Sequence, residues 1–272
     1  GANTVTLTVT DNNNLTATCT AVVTVTNTNL PNAVCQPYTA VLDVNGSATI
    51  TAANVDGGSA AVGGIASMSV SPGTLTCANI GNNTVTLTVT GNNGLTATCN
   101  TNVTVQDNTA PTAVCQNVSV NLTGNTAGVT ADQILNAASS SDNCGTVNAM
   151  SVSPNTFHCN NLGANTVTLT ANDGHGNTAT CSAVVTVGDA TAPTAVCQNI
   201  SINLNNGGTA GIGAVQVNNG SSDNCGAVNL VGVSPNSFTC SNIGANTVTL
   251  TINDGHGNSA ACTATVTVAD NL

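Results

Sequence analysis

The chain has no lysine, no arginine, no glutamate and no tryptophan, and its 272 residues hold one tyrosine and two phenylalanines. Without a fixed positive charge, no side chain is available to neutralise a nucleic-acid backbone, clamp a phosphate or dock on anionic lipid, and those partners are excluded. No apolar run is long enough to span a bilayer, so direct membrane insertion is excluded too. A start methionine and a signal peptide are also missing, which reads as a mature piece or an internal window of a longer product.

What is there is polar with little charge. Eleven aspartates give a formal net charge of -11, so any ionic partner is a cation. Charged residues are 4% of the chain, which leaves Thr, Asn, Ser and Gly to wet the surface. Twelve cysteines at recurring spacings predict a disulfide framework and an oxidising, extracellular or cell-surface location. A zinc-thiolate reading needs close CxxC pairs with histidine partners, and the sequence has none.

The segment GANTVTLT starts at Gly1, Gly163 and Gly244, with the variant GNNTVTLT at Gly81, so copies stand about 81 residues apart. AVCQ ends at Gln36, Gln116 and Gln198, and SPxxxxC ends at Cys77, Cys159 and Cys240. The domains expected are a hairpin of an incomplete preceding repeat at 1–27, then repeats at 28–108, 109–190 and 191–272. The hydrophobic period is two, as in Val85, Leu87 and Val89 against Thr84, Thr86, Thr88 and Thr90. That is the pattern of a half-buried strand, and no helical period is sustained. The fold class predicted is all-β: tandem immunoglobulin-like sandwiches of about seven short strands each, disulfide-stabilised and arranged as a rod. The Cys, Trp and Cys signature of true immunoglobulin domains is absent.

The order AVCQNVSVNL, SSDNCG, SPNTF, GANTVTLTANDGHGN and TATCSAVVTV resembles the hyalin-repeat (HYR-like) modules of large secreted and cell-surface bacterial proteins, among them adhesins exported by type IX secretion. The resemblance covers the whole chain and is most specific in the DNCG loop and the NDGxGN hairpin. It implies a structural or adhesive module without catalysis. The first repeat departs from the pattern, with SAAVGG at Ser59 to Gly64 where DNCG is expected.

A small module with so few aromatics buries little apolar area, and cross-links offset its chain entropy. Cys99 shares parity with Val103 and Val105, and Cys181 with Val185 and Val187, which places this cysteine on the core face of the last strand. In sandwiches of this type the first and last strands run side by side, so the expected pairs are Cys35–Cys99, Cys115–Cys181 and Cys197–Cys262. The first-strand cysteine is out of phase with Val118, Val120 and Leu122, which calls for a kink such as Pro37 supplies. The remaining pairs expected are Cys144–Cys159 and Cys225–Cys240, leaving Cys19 and Cys77 unpaired within 1–272. A rival scheme joins Cys19 to Cys35, Cys99 to Cys115 and Cys181 to Cys197, against which stands the length of an extended strand.

The aspartates fall at matching places: Asp107, Asp142 and Asp173 in the second repeat, Asp189, Asp223 and Asp254 in the third. In the expected topology these segments meet at one pole, where gathered carboxylates call for a hard cation with oxygen ligands. Calcium is the candidate cofactor, with Asn143, Asn172, Asn224 and Asn253 adding carbonyls. The counterparts in the first repeat are Asn27, Ala60 and Gly91, all acid-free. A second reading stands beside this one: Asp is favoured in turns because its side chain bonds neighbouring amides. His175 and His256 lie in DGHGN turns and His158 precedes Cys159, with no nucleophile elbow or phosphate loop, so no enzyme is expected.

The function these features favour is an extracellular stalk, fibre or surface filament whose partners are copies of itself or further repeats. The alternative is a calcium-dependent adhesin or carbohydrate-binding module meeting surface glycans, against which stands the lack of Trp and Tyr platforms. Ice or mineral binding by the Thr rows is a remote third, since the rows recur only once per repeat.

Overall fold

The computed structural model describes residues 1–270, and apart from single helical turns its regular structure is β. It opens on a hairpin of β1 (Ala2–Thr10) and β2 (Thr16–Thr24), with Leu7 opposite Cys19. Every residue of both strands is exposed, although the pattern TVTLTV is that of a strand with one buried face.

Three units of one element order follow. The first has β3 (Tyr38–Val41), β4 (Ser47–Thr49), α1 (Ala52–Val55), β5 (Ile65–Ser71), β6 (Thr74–Thr76), β7 (Gly81–Gly91) and β8 (Thr96–Gln106). The second has β9 (Val118–Leu122), β10 (Thr126–Gly128), α2 (Ala131–Ile134), β11 (Asn148–Ser153), β12 (Thr156–His158), β13 (Gly163–Asn172) and β14 (Thr178–Asp189). The third has β15 (Ile200–Asn203), β16 (Thr209–Gly211), α3 (Ala214–Val217), β17 (Asn229–Ser234), β18 (Ser237–Thr239), β19 (Gly244–Asn253) and β20 (Ser259–Ala269).

Each repeat is a two-sheet immunoglobulin-like sandwich. In the first, a four-stranded sheet ordered β3-β8-β7-β5 packs with the pair β4-β6, and the first strand runs parallel to the last with Tyr38 opposite Val103. The core draws on both sheets: Val85, Leu87 and Val89 of β7 and Val103 of β8 are fully buried, and Ala48 and Leu75 close the other side. The equivalent cores centre on Phe157 and Leu169, and on Phe238 and Leu250. Two phenylalanines, used once each, account for the largest buried side chains.

Each repeat has six strands, one fewer than the composition and turn spacing suggested. The AVCQ segment is the missing strand. It makes only isolated bridges, Cys35 to Asp56, Cys115 to Leu135 and Cys197 to Asn218. The reason lies one or two residues on. Asn117 Oδ1 accepts the Val184 N–H at 2.8 Å, and Asn199 Oδ1 accepts that of Thr265 at 2.8 Å, so a side chain fills the ladder position that backbone leaves open. In the first repeat Pro37 stands there and has no N–H to offer. This interruption resets the phase between the cysteine and the strand that follows it.

The described chain divides into two compact units: one of Gly1–Ala110 with Asp142–Thr146 and His175–Asn177, the other of the remaining residues. The division does not follow the repeat boundaries, because the DNCG loop and His175–Asn177 of the second repeat belong with the first.

Candidate functional site

The cystine framework positions the loops. Three disulfides join the entry segment to the last strand, Cys35–Cys99, Cys115–Cys181 and Cys197–Cys262. The other two correct the pairing expected from sequence. Cys144 bonds Cys77 rather than Cys159, and Cys225 bonds Cys159 rather than Cys240, so Cys77 is paired and Cys240 is not. Cys19 and Cys240 are the free thiols among the described residues, and both are exposed. Proximity in sequence favoured a bond within the repeat. The DNCG loop instead reaches the end of β6 in the repeat before it, where Cys144 sits at 5% exposure among that repeat's core residues.

Two local features build this seat. The loop Asp43–Ser47 is tied by Asp43 Oδ1, which accepts the N–H groups of Asn45 at 2.9 Å and Ser47 at 3.0 Å. Gly46 follows at φ +72°, and a Cβ there would run into Cys77 Sγ and come within 2.8 Å of the Asn143 carbonyl. Asn143 Nδ2 then donates to the Asp43 carbonyl at 3.0 Å. In the second seat Asn224 Nδ2 donates to the Gly124 carbonyl at 2.6 Å, and the Asn224 carbonyl lies 3.4 Å from Cys159 Sγ.

The acids gather beside these loops. In the third repeat, ligand atoms of Asp189, Asp254 and His256 lie within 4.8 Å of one another. Asp189 ends β14 with its side chain fully buried, and His256 Nδ1 stands 3.9 Å from its Oδ2. Its Oδ1 accepts the Thr191 N–H at 3.0 Å and Asn224 Nδ2 at 3.4 Å, while Oδ2 has no hydrogen-bond donor in the protein. Asp254 Oδ1 accepts the N–H groups of His256 at 2.7 Å and Asn258 at 3.0 Å, and its Oδ2 accepts Asn258 Nδ2 at 2.6 Å. Burial acts to raise the Asp254 pKa, but the bonds from Asn258 and His256 and the imidazole charge outweigh it, holding the carboxyl below its ordinary 3.8.

Asp223 stands outside that three-residue group. Its Oδ2 accepts the Cys225 N–H at 2.8 Å, the turn role that sequence allowed for, and its buried Oδ1 has no donor. Neither has Oδ1 of the neighbouring Asn224. In the second repeat Asp107 is likewise fully buried in its side chain, with His175 Nδ1 3.6 Å from its Oδ2. Asp107 Oδ2, Asp142 Oδ1 and Asn143 Oδ1 are buried without donors there, and Asp173 is 3% exposed at the end of its strand. His256 and His175 were assigned to turns by their DGHGN setting. They are in turns, and the aspartate just before the turn is what could have marked the imidazole as facing the carboxylates.

The first repeat solves the same position with amides. Asn93, the counterpart of the histidines, donates through Nδ2 to the carbonyls of Asn27 at 3.1 Å and Asn29 at 2.9 Å. Asn27 Nδ2 in turn donates to the Val62 carbonyl at 2.7 Å. The bridge of Asn32 to Ala60, matching Thr112 to Ser141 and Thr194 to Ser222, aligns Ala61 rather than Ala60 with Asp142. Where acids are missing, N–H donors are supplied and carbonyls receive them. Where acids are present, an amide still donates to the matching carbonyl, Asn177 Nδ2 to that of Asp107 and Asn258 Nδ2 to that of Asp189, each at 3.1 Å. But one buried oxygen of each of Asp107, Asp142, Asp189 and Asp223 lacks a donor, and the chain has no Lys or Arg to supply one.

Among the described residues no helix is long and apolar enough to cross a membrane. No family model matches the chain, and no curated protein does. Solved structures similar to it include the protocadherin GammaB4 extracellular domain, at 17% identity and TM-score 0.33, covering 99% of this chain and 56% of that one. Titin domains I67–I69 match at 11% identity and TM-score 0.36, covering 88% and 98%. Sidekick-1 immunoglobulin domains 1–4 match at 11% identity and TM-score 0.30, covering 88% and 75%. This chain thus spans little more than half the length of the protocadherin, and at such scores the likeness carries no argument about what it binds.

Proposed function

We propose that the chain is an extracellular structural repeat protein, a segment of a stalk, fibre or surface filament, whose junctions are tightened by calcium. The observation that carries this reading is the pair of cystines Cys77–Cys144 and Cys159–Cys225, each tying one repeat to the loop of the next. A bond spanning 66 or 67 residues between repeats adds, to the cystine that already closes each fold, a covalent tie that resists separation of the repeats under load. Five disulfides require an oxidising environment, and the absence of Lys and Arg denies trypsin-like proteases their sites. The motif order that resembles hyalin repeats supports the same class. The orphaned oxygens of Asp189, Asp223 and Asn224 are hard donors suited to calcium, with Asp254 and His256 beside Asp189.

Electron microscopy of the protein, with and without a calcium chelator, tests the reading. Linear unbranched particles that become more flexible in chelator are expected. Compact particles with no long axis in either condition would refute the structural role, and linear particles indifferent to chelator would refute the calcium part alone.

A further inference from the structure

The third repeat carries a copy of the seat that receives the DNCG loop. The loop Asn205–Thr209 reproduces Asp43–Ser47: Asn205 Oδ1 accepts the N–H groups of Gly207 at 2.9 Å and Thr209 at 3.1 Å, against 2.9 and 3.0 Å at Asp43. The backbone bonds agree as well, with Gly208 N–H to the Asn205 carbonyl at 2.8 Å and Gly46 N–H to that of Asp43 at 2.9 Å. Gly208 has φ +68° beside +72° for Gly46, and a Cβ on it would lie 2.9 Å from Cys240 Sγ. Cys240 Sγ sits 3.8 Å from the Gly208 carbonyl, as Cys77 Sγ sits 3.5 Å from that of Gly46. In the first repeat this arrangement holds Asn143 and Cys144.

We propose that Asn205, Gly208 and Cys240 form a docking seat for the Asp-Asn-Cys-Gly loop of a following repeat, and that Cys240 becomes disulfide-bonded to that loop's cysteine. The loop asparagine donates its amide to the Asn205 carbonyl, the small Gly208 admits the loop backbone, and the two sulfurs meet. A following repeat is the occupant because both filled seats take the loop of the repeat that comes next in sequence. A second copy of residues 1–272 offers no such loop, since Cys144 and Cys225 are already bonded. Bond formation removes one proton and one electron from each thiol. The acceptor is a disulfide-bearing oxidant, an oxidised thiol-disulfide oxidoreductase or oxidised glutathione, which leaves as two thiols. The inference deepens the reading of serially linked repeats, and sulfur pairing is measured whether or not fibres form.

The test lengthens the chain after residue 272 by a further copy of residues 191–272, refolds it in a glutathione buffer and maps the non-reduced peptic peptides by mass spectrometry. Cys240 linked to the added copy's counterpart of Cys225 is the expected result, with loss of its alkylation by iodoacetamide while Cys19 stays reactive. Gly208→Val in the same chain fills the seat and restores alkylation of Cys240. A Cys240 that stays alkylatable, pairs with Cys19, or leaves the added cysteine bonded inside its own repeat overturns the proposal. Should the lengthened chain misfold, the unaltered protein is treated with the peptide Ser-Ser-Asp-Asn-Cys-Gly-Thr as its thionitrobenzoate mixed disulfide. Faster coupling at Cys240 than at Cys19, lost when the peptide's Asn is Ala, supports the seat, and equal rates at the two cysteines overturn it.

Discussion

Asp189→Asn separates a cation ligand from a turn residue by sign. With calcium removed, the Asp189 carboxylate is a fully buried charge with one oxygen lacking a donor. Leaving such a group unsatisfied costs about 1–3 kcal/mol, and more when it is charged. The amide is neutral, so in chelator the variant is stabilised by roughly that amount. With calcium at about a hundred times its dissociation constant, binding to the folded state alone contributes about 2.7 kcal/mol to the unaltered protein. The variant forfeits most of this and becomes the less stable of the two. For a domain near this size 1 kcal/mol moves the melting temperature by about 4–8 °C, so the crossing is well within reach of differential scanning calorimetry. Asn27→Ala, in the repeat with no acids, serves as the control and responds alike in both conditions. If Asp189→Asn changes the melting temperature in the same direction with and without calcium, the carboxylate is a structural acceptor and the cation reasoning fails.

Four further outcomes are expected. Leu87→Ala destabilises by about 2–5 kcal/mol in urea denaturation, whereas Leu7→Ala, at the same place in the motif but 61% exposed, stays within about 0.5 kcal/mol; equal effects would mean β1 and β2 are covered in solution. Asn117→Ala removes the acceptor of the Val184 N–H, lowers stability by about 1 kcal/mol and accelerates exchange of that amide; unchanged protection would show that the kink is not held by the side chain. Gly46→Val blocks the Cys77–Cys144 bond and exposes two more titratable thiols, and an unchanged thiol count refutes the steric account of that seat. Asp56 has a pKa held below 3.8 by the Ser59 hydroxyl and N–H, so its contribution is present above pH 3.8 and is lost as pH falls below it; Asp56→Asn therefore flattens the acid limb of a stability-pH profile, and an unaltered limb refutes the assignment.

How much could be read from the chain depended on range. Period-two alternation in Val85 to Val89 specified buried strands, and the shared parity of Cys99 with Val103 and Val105 put its sulfur on the core face, where Cys35 meets it. The two cystines between repeats were not legible, because period and parity describe a strand's faces and say nothing about which repeat a loop leans on. The same alternation is present in β1, yet Val5, Leu7 and Val9 face solvent: a pattern states what a strand is suited to bury, not whether its partner is present. The placement of His175 and His256 against carboxylates was not legible for a related reason. DGHGN is turn chemistry by composition, and only the fold brings the Asp189 carboxylate to within 4 Å of the imidazole.

The first repeat offers a comparison for the acids of the other two. Its junction is closed by amides that carry both donors and acceptors, so Asn93 and Asn27 satisfy neighbouring carbonyls under any ionic condition. Where Asp and His replace that set, one amide donor is kept, Asn177 Nδ2 to the Asp107 carbonyl and Asn258 Nδ2 to that of Asp189, each at 3.1 Å, but carboxylate oxygens are buried without donors, a cost that a bound cation would offset. Substituting Asn27→Asp together with Gly91→Asp and Asn93→His carries the acidic pattern into the first repeat. The engineered junction is expected to melt below the native one in chelator and to regain stability when calcium is added, a dependence the unaltered first repeat lacks. A first repeat that remains indifferent to calcium after the exchange would mean that these side chains alone do not make the site, and that the Asp-Asn-Cys-Gly loop, absent at Ala60–Gly64, is required with its two further orphaned oxygens.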